Sequence, residues 1–227
     1  MATDEPALKT SGVLNGASLL AGAISPNSMV TVSGNALAPM AGAATASQTQ
    51  LDGVGVTVNG EAAAVVAVGN AAVTFVAPAD LQLGTAAIVV NNNGLASAPV
   101  QATVAPDSPG FFTLGSANGV SYVAAEHADG SVIAPAAVVK SGTPAKAGET
   151  IALYGTGFGT TAQLTSHPPV VLVAGVPAQV TYAGMIAPGL NQINVTLPPE
   201  LPAGDAEVIA TMGNGASQTQ VFVTIGQ

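Results

Sequence analysis

His127 and His167 are the only histidines in this chain of 227 residues, and it has no cysteine. A Ser-His-Asp relay or a histidine-held metal must therefore use one of these two, and thiolate catalysis, disulfides and zinc-thiolate sites are excluded. His127 lies in AEHADGS, where Glu126, His127 and Asp129 could converge on a cation. The same letters read as a hairpin turn with Gly130 at positive φ, and that reading is preferred. His167 stands before Pro168 and Pro169, which hold the chain extended, and no G-x-S-x-G elbow offers a nucleophile. The GTGFG run, Gly155 to Gly159, has the letters of a nucleotide-binding loop. That loop must open a helix, however, and the following TTAQLTSHPP reads as polar loop, so a bulge or corner is expected, with Gly34 as its counterpart upstream. Calcium needs clustered carboxylates, and the acids here are scattered. The Asn194-Val195-Thr196 sequon falls inside a strand. No catalytic residue, cofactor or metal is expected, and the chain is read as a non-enzyme.

Composition narrows the partners. Three lysines, no arginine and 12 acidic residues give a formal charge of -9, which leaves too few cations to neutralise nucleic-acid phosphates. Apolar runs such as VVLVAG from Val170 stop at Gly or Pro far short of a membrane span, so no membrane insertion is expected. The N-terminal MATDEPALKT lacks the charged start and apolar middle of a signal peptide.

The hydrophobic period is two wherever it is legible. Val54, Val56 and Val58 alternate with small or polar residues, as do Val30 and Val32, then Ile193, Val195 and Leu197, then Val221, Val223 and Ile225. EAAAVVAV from Glu61 is short, ends at Gly69 and runs into VTFV, so it too is expected to be strand. The segment FVAPADLQLGTAAIVVNNNGLAS from Phe75 aligns without a gap to VTLPPELPAGDAEVIATMGNGAS from Val195, and looser matches precede both. Two copies, each made of short strands with frequent Gly, Pro and Asn turns, predict an all-β chain of two tandem immunoglobulin-like β-sandwiches. The boundary is expected in APDSPG. This gives an N-terminal arm at 1–11, a first sandwich at 12–108 and a second at 109–227. Phe111 and Phe112 are read as core residues.

GVLNGASLLAGAISPNSMVTVSGNALA, VGVTVNGEAA, PGFFT, GETIALYGTGFG, VPAQVTYAG and PGLNQINVTLPPELPAGDAEV, in that order, resemble the two-domain immunoglobulin-like module of the IPT/TIG type found at the C-termini of large secreted acidobacterial proteins. The resemblance runs from Gly12 to Ile225 and departs at VGNAAVTFVAP, Val68 to Pro78. It implies an exported, non-enzymatic module, hence an extracellular or cell-surface location, and brings no catalytic residues with it.

With lysine at only positions 9, 140 and 146, sheet edges have little charge to guard them, and a surface of Ala, Val, Thr, Asn and Gln favours contact with copies of the same chain. The expected function is a structural or adhesive protein that self-associates into a filament, surface layer or matrix. Ala7, Leu8 and Val13 of the arm are the candidate residues for adding a strand to a neighbour; the arm is alternatively a linker remnant. A carbohydrate-binding or spacer module is the alternative function, with extracellular glycans as partner, although tryptophan is absent. The insertion from Ala38 to Leu51 is read as a flexible loop or a place for O-linked sugar.

Overall fold

A strand with apolar residues at every second position needs a second sheet against which to bury them. The computed structural model, which describes residues 5–227, meets that need twice, in two compact units that divide between Ser108 and Pro109. Both are immunoglobulin-like β-sandwiches. Unit 1 contains β1 (Ala7–Asn15), β2 (Met29–Asn35), β3 (Gly42–Ala43), β4 (Gln50–Leu51), β5 (Val54–Val58), β6 (Glu61–Val68), β7 (Ala72–Val76), β8 (Gly84–Asn92), β9 (Leu95–Ala96) and β10 (Val100–Val104). Unit 2 contains β11 (Gly110–Phe111), β12 (Thr113–Ala117), β13 (Val120–Val123), β14 (Ala125–Glu126), β15 (Thr150–Thr156), α1 (Thr161–Ser166), β16 (Val170–Val173), β17 (Val176–Ala187), β18 (Leu190–Thr196), β19 (Gly204–Met212), β20 (Gly215–Ala216) and β21 (Val221–Ile225).

In unit 1 the strands run β1-β2-β7-β6-β5-β8-β10, and the long strand β6 serves both sheets. Its first residues pair with β5 and its last with β7, with a register shift between Val65 and Ala67. The far side closes when Ile24 forms a parallel bridge to Val104, its N–H donating to Thr103 and its carbonyl accepting from Ala105. Unit 2 follows the same plan. β17 pairs with β16 and then with β18, and Ala145 makes the closing bridge to Ile225. A hairpin of β12 and β13 additionally covers β21, through parallel pairs such as Ser121 with Val221.

The cores are built from small side chains between the sheets. In unit 1 Ile24, Leu37, Phe75 and Ile88 are fully buried among valines and alanines. In unit 2 Phe111 and Phe158 meet with ring centroids 5.4 Å apart beside Ile151, Leu153 and Ile193, which is the core role expected of Phe111, whereas Phe112 is only half-buried and lies outside this cluster. The same local devices recur in both units. The Ser97 hydroxyl accepts the Val90 amide and the Ser217 hydroxyl accepts that of Ala210. Asn59-Gly60 and Ala174-Gly175, all at positive φ, close equivalent hairpins with the backbone twist that a two-residue turn requires.

The glycine corner also recurs, and its cause is close packing of backbone. A Cβ on Gly34 would meet the Ala7 carbonyl oxygen, and one on Gly155 would lie 2.5 Å from the Gly110 oxygen and 2.6 Å from the Phe158 ring. Each corner then delivers a fully buried side chain, Leu37 or Phe158.

Three expectations need correction. GTGFG is followed by a helix after all. Thr160 caps α1 by accepting the Gln163 amide, Gln163 returns the bond to the Thr160 amide, and Leu164 anchors the turn in the core. The cap takes up the amides of Thr160 and Gln163. The arm does not stand apart from the sandwich, because β1 crosses the boundary expected at residue 12. The insertion from Ala38 to Leu51 is not a free loop: it lies along β6 through β3 and through bonds from Ala44 N–H to Val66 and from Val65 N–H to Gln48.

Gly155→Ala should cost roughly 1–3 kcal/mol through overpacking and lower the urea midpoint. Gly22→Ala, with nothing within 4 Å of the new methyl, should leave the midpoint unchanged.

Candidate functional site

The polar side chains of unit 2 gather on two adjoining surfaces around His127. The first is a groove of ≈ 500 Å³ that includes His127, Asp129, Ser131, Thr143, Lys146 and Glu149 in its lining. The AEHADGS segment is the turn expected: His127 N–H donates to Ser131, Gly130 N–H donates to His127, and Gly130 has φ 82. The Asp129 carboxylate accepts the hydroxyl and amide of Ser131, which hold its pKa below the ordinary carboxylate value.

His127 Nδ1 lies 2.5 Å from Glu149 Oε1, and Nε2 lies 2.9 Å from Thr143 Oγ1. Hydroxyl, imidazole and carboxylate in line have the connectivity of an acyl-transfer relay. The surrounding backbone gives it another role. The Thr143 amide is spent on Val132, and Glu149 Oε2 accepts the Lys146 amide, so these bonds fasten segments 127–132, 143 and 146–149 together. Such a relay also needs donors aimed at a developing oxyanion, and the amide of Thr143 itself is already taken. Among the described residues no three His, Cys, Asp or Glu side chains are grouped to hold a metal ion.

The second surface is the outer face of β14, β15, β18 and β17. Cross-strand register lines up Glu126, Ala152, Asn194 and Tyr182 in one row and Tyr154, Gln192 and Gly184 in the next. Their neighbours Leu153, Ile193 and Val195 point into the core. Tyr154 donates to Glu126 Oε2 at 2.7 Å, and Gln192 Nε2 donates to Asn194 Oδ1 at 2.8 Å. At one end the turn at His127, Ala128 and Gly130 walls this face into a recess of ≈ 260 Å³. At the other, the Tyr182 side chain lies across Gly184, where a Cβ would be 2.4 Å from its hydroxyl. Gly184 is buried under Tyr182, which is itself 44% exposed.

The candidate arm residues sit elsewhere. Ala7 and Leu8 pair with Asn35 and Gly34 of the same chain and Val13 pairs with Val32, with the register shifting between Leu8 and Val13. Asn194 of the sequon is in mid-strand, committed to Gln192. Sequence reasoning missed Thr143, Glu149, Tyr154 and Tyr182. The only signal for Tyr182 was a glycine two residues on, where the same face of the strand comes round again.

Burial, and then the bond and charge of Glu126, push the Tyr154 phenol from its ordinary 10.0 up to about 12. The folded chain therefore retains a proton that the unfolded chain loses, so this contribution to stability is complete below pH 10 and disappears as pH rises toward about 12. Phenolate absorbance should show one tyrosine titrating near the top of that window, and Tyr154→Phe should remove both that signal and its share of the alkaline destabilisation.

Comparison with known proteins finds an IPT/TIG domain model matching residues 14–104. No curated protein matches the chain. Among solved structures, the chain is similar to the Bacteroides ovatus mixed-linkage glucan utilization locus protein SGBP-B in complex with a mixed-linkage heptasaccharide (13% identity, TM-score 0.39), over 98% of this chain and 46% of that one. The chain thus spans less than half the length of that protein. It is also similar to domains 5–6 of the S-layer protein SbsC (13% identity, TM-score 0.31), over 97% of this chain and 98% of that one. A third likeness is to the Escherichia coli adhesin FdeC (13% identity, TM-score 0.30), over 98% of this chain and 64% of that one. Within this all-β chain, residues 14–104 are an IPT/TIG domain.

Proposed function

We propose that this chain is a non-enzymatic, extracellular or cell-surface β-sandwich protein of structural or adhesive role that associates with copies of itself, both units being of the IPT/TIG type. The observation that carries this reading is the apolar, sparsely charged exterior. Leu19, Leu20, Met40 and Leu83 in unit 1 and Val170 in unit 2 are each more than half exposed, in a chain with three lysines and no arginine. Large apolar side chains in water favour contacts that cover them.

The sheet edges are poor places for that contact, because β6 and β17 pass from one sheet to the other and Ile24 and Ala145 close the far sides. The N-terminal strand is the exception. Ala7, Leu8 and Val13 belong to an end strand whose pairing to β2 is interrupted by a bulge. In exchange between copies the same residues would meet the same partners in a neighbour. A second reading, a carbohydrate-binding module, has one observation in its favour, the half-exposed Tyr182 side chain lying over Gly184.

Sedimentation and negative-stain imaging of the full chain over rising concentration should show ordered oligomers or filaments; a strict monomer when concentrated overturns self-association. Deletion of residues 1–11 should weaken assembly, whereas undiminished assembly assigns it to the exposed apolar side chains and rules out the strand.

A further inference from the structure

We infer that the outer face of β14, β15, β18 and β17 binds an uncharged polysaccharide with an extended, ribbon-like backbone, and that Tyr182 is its stacking platform. The inference rests on the carbohydrate reading and is independent of self-association.

The argument begins with a register shift. Val180 pairs with Val195 and points to the core, so strict alternation would send Tyr182 the same way. Between them Thr181 is an extra residue, and Tyr182 comes to pair with the outward-facing Asn194. A bulge that re-aims a side chain is a recurrent device beside binding sites. Here it takes a large aromatic out of the interior and sets it in solvent. The phenol end then lies across the next residue on that face, which is a glycine, and any Cβ there would collide with it.

Unit 1 provides an internal control. β6 has the corresponding bulge, with Val65 paired to Phe75 and Ala67 to Thr74, but the residue brought outward is Ala67. The bulge belongs to the architecture of both units, and the aromatic belongs to unit 2 alone. In unit 1 β3 also pairs along β6 at Ala67 and Val68, whereas in unit 2 the side chains across the face stay accessible to a ligand.

The remaining side chains define the ligand. Gln192 and Asn194 offer amide donors and acceptors beside the ring, Thr150 and Thr196 add hydroxyls 2.8 Å apart, and Tyr154 presents its phenol at the recess. A platform with convergent neutral donors and acceptors matches the C–H faces and hydroxyls of sugars. Charge sets the class. None of the chain's three lysines lies on these strands, and the single carboxylate on the two rows, Glu126, accepts the Tyr154 hydroxyl. An anionic polymer would meet repulsion from a chain of net charge -9 with no cation at the site to offset it. The shape sets the backbone, since four adjacent strands spanning about 14 Å form a shallow track for a flat, extended chain.

The test is affinity electrophoresis of the intact chain in gels containing hydroxyethyl cellulose or galactomannan, with dextran as a flexible neutral control and polygalacturonate as an anionic one. Retardation by hydroxyethyl cellulose or galactomannan is expected, weakened about tenfold by Tyr182→Ala through loss of stacking and retained in Tyr182→Phe. Gly184→Val, which pushes the ring off the sheet, should weaken binding as well, while unfolding midpoints of the Tyr182 variants stay near that of the parent chain. Binding that survives Tyr182→Ala in a folded variant overturns the site but leaves the carbohydrate reading standing. Retardation as strong by polygalacturonate or dextran overturns the ligand class. No retardation by any of the four overturns both.

Discussion

One long strand in each unit belongs to two sheets at once, and the rest of the architecture follows from it. A sandwich of small side chains gains little from any single contact, so its two layers need a firm link that keeps them at the spacing where Val and Ala interdigitate. β6 and β17 provide that link covalently, giving their first residues to one sheet and their last to the other. The turn from sheet to sheet brings extra residues, and the extra residues break the alternation. The same mechanics that hold the layers together thus decide which side chains reach solvent beyond the bend.

The glycine corners are the complementary constraint. Gly34 and Gly155 let a neighbouring strand's carbonyl pass where any methyl would block it, and directly afterwards Leu37 and Phe158 enter the core. Backbone approach and side-chain filling are coupled at one place in each unit. This explains why letters that resemble a phosphate loop serve packing instead. The capped turn of α1 extends the arrangement in unit 2, sealing the core with Leu164.

Much of this was legible in the sequence because it depends on period and turn chemistry. Valines 54, 56 and 58 are all buried, EAAAVVAV is strand, and FVAPADLQLG and VTLPPELPAG lead into β8 and β19 with Leu81 and Leu201 equally buried. What escaped was whatever departs from the period. α1 has a single apolar anchor in a polar segment, so only its Thr160-x-x-Gln163 cap could have announced it. β1 reads as an arm because its bulge hides the alternation of Leu8 with Val13. Tyr182 shares parity with Val180, and period two assigns it to the core; only the unpaired Thr181 sends it the other way. The carboxylate partners of His127 and Tyr154 depend on contacts between distant segments that spacing does not encode.

The bridges from Ile24 to Val104 and from Ala145 to Ile225 join the early part of each unit to its last strand. During synthesis neither sandwich can be finished until its final strand leaves the ribosome, yet the first needs nothing encoded after it. The chain can therefore mature in two successive steps, with unit 1 already shut while β11 onward is still being translated. That order keeps two compositionally similar halves from exchanging strands at the moment when both would be open.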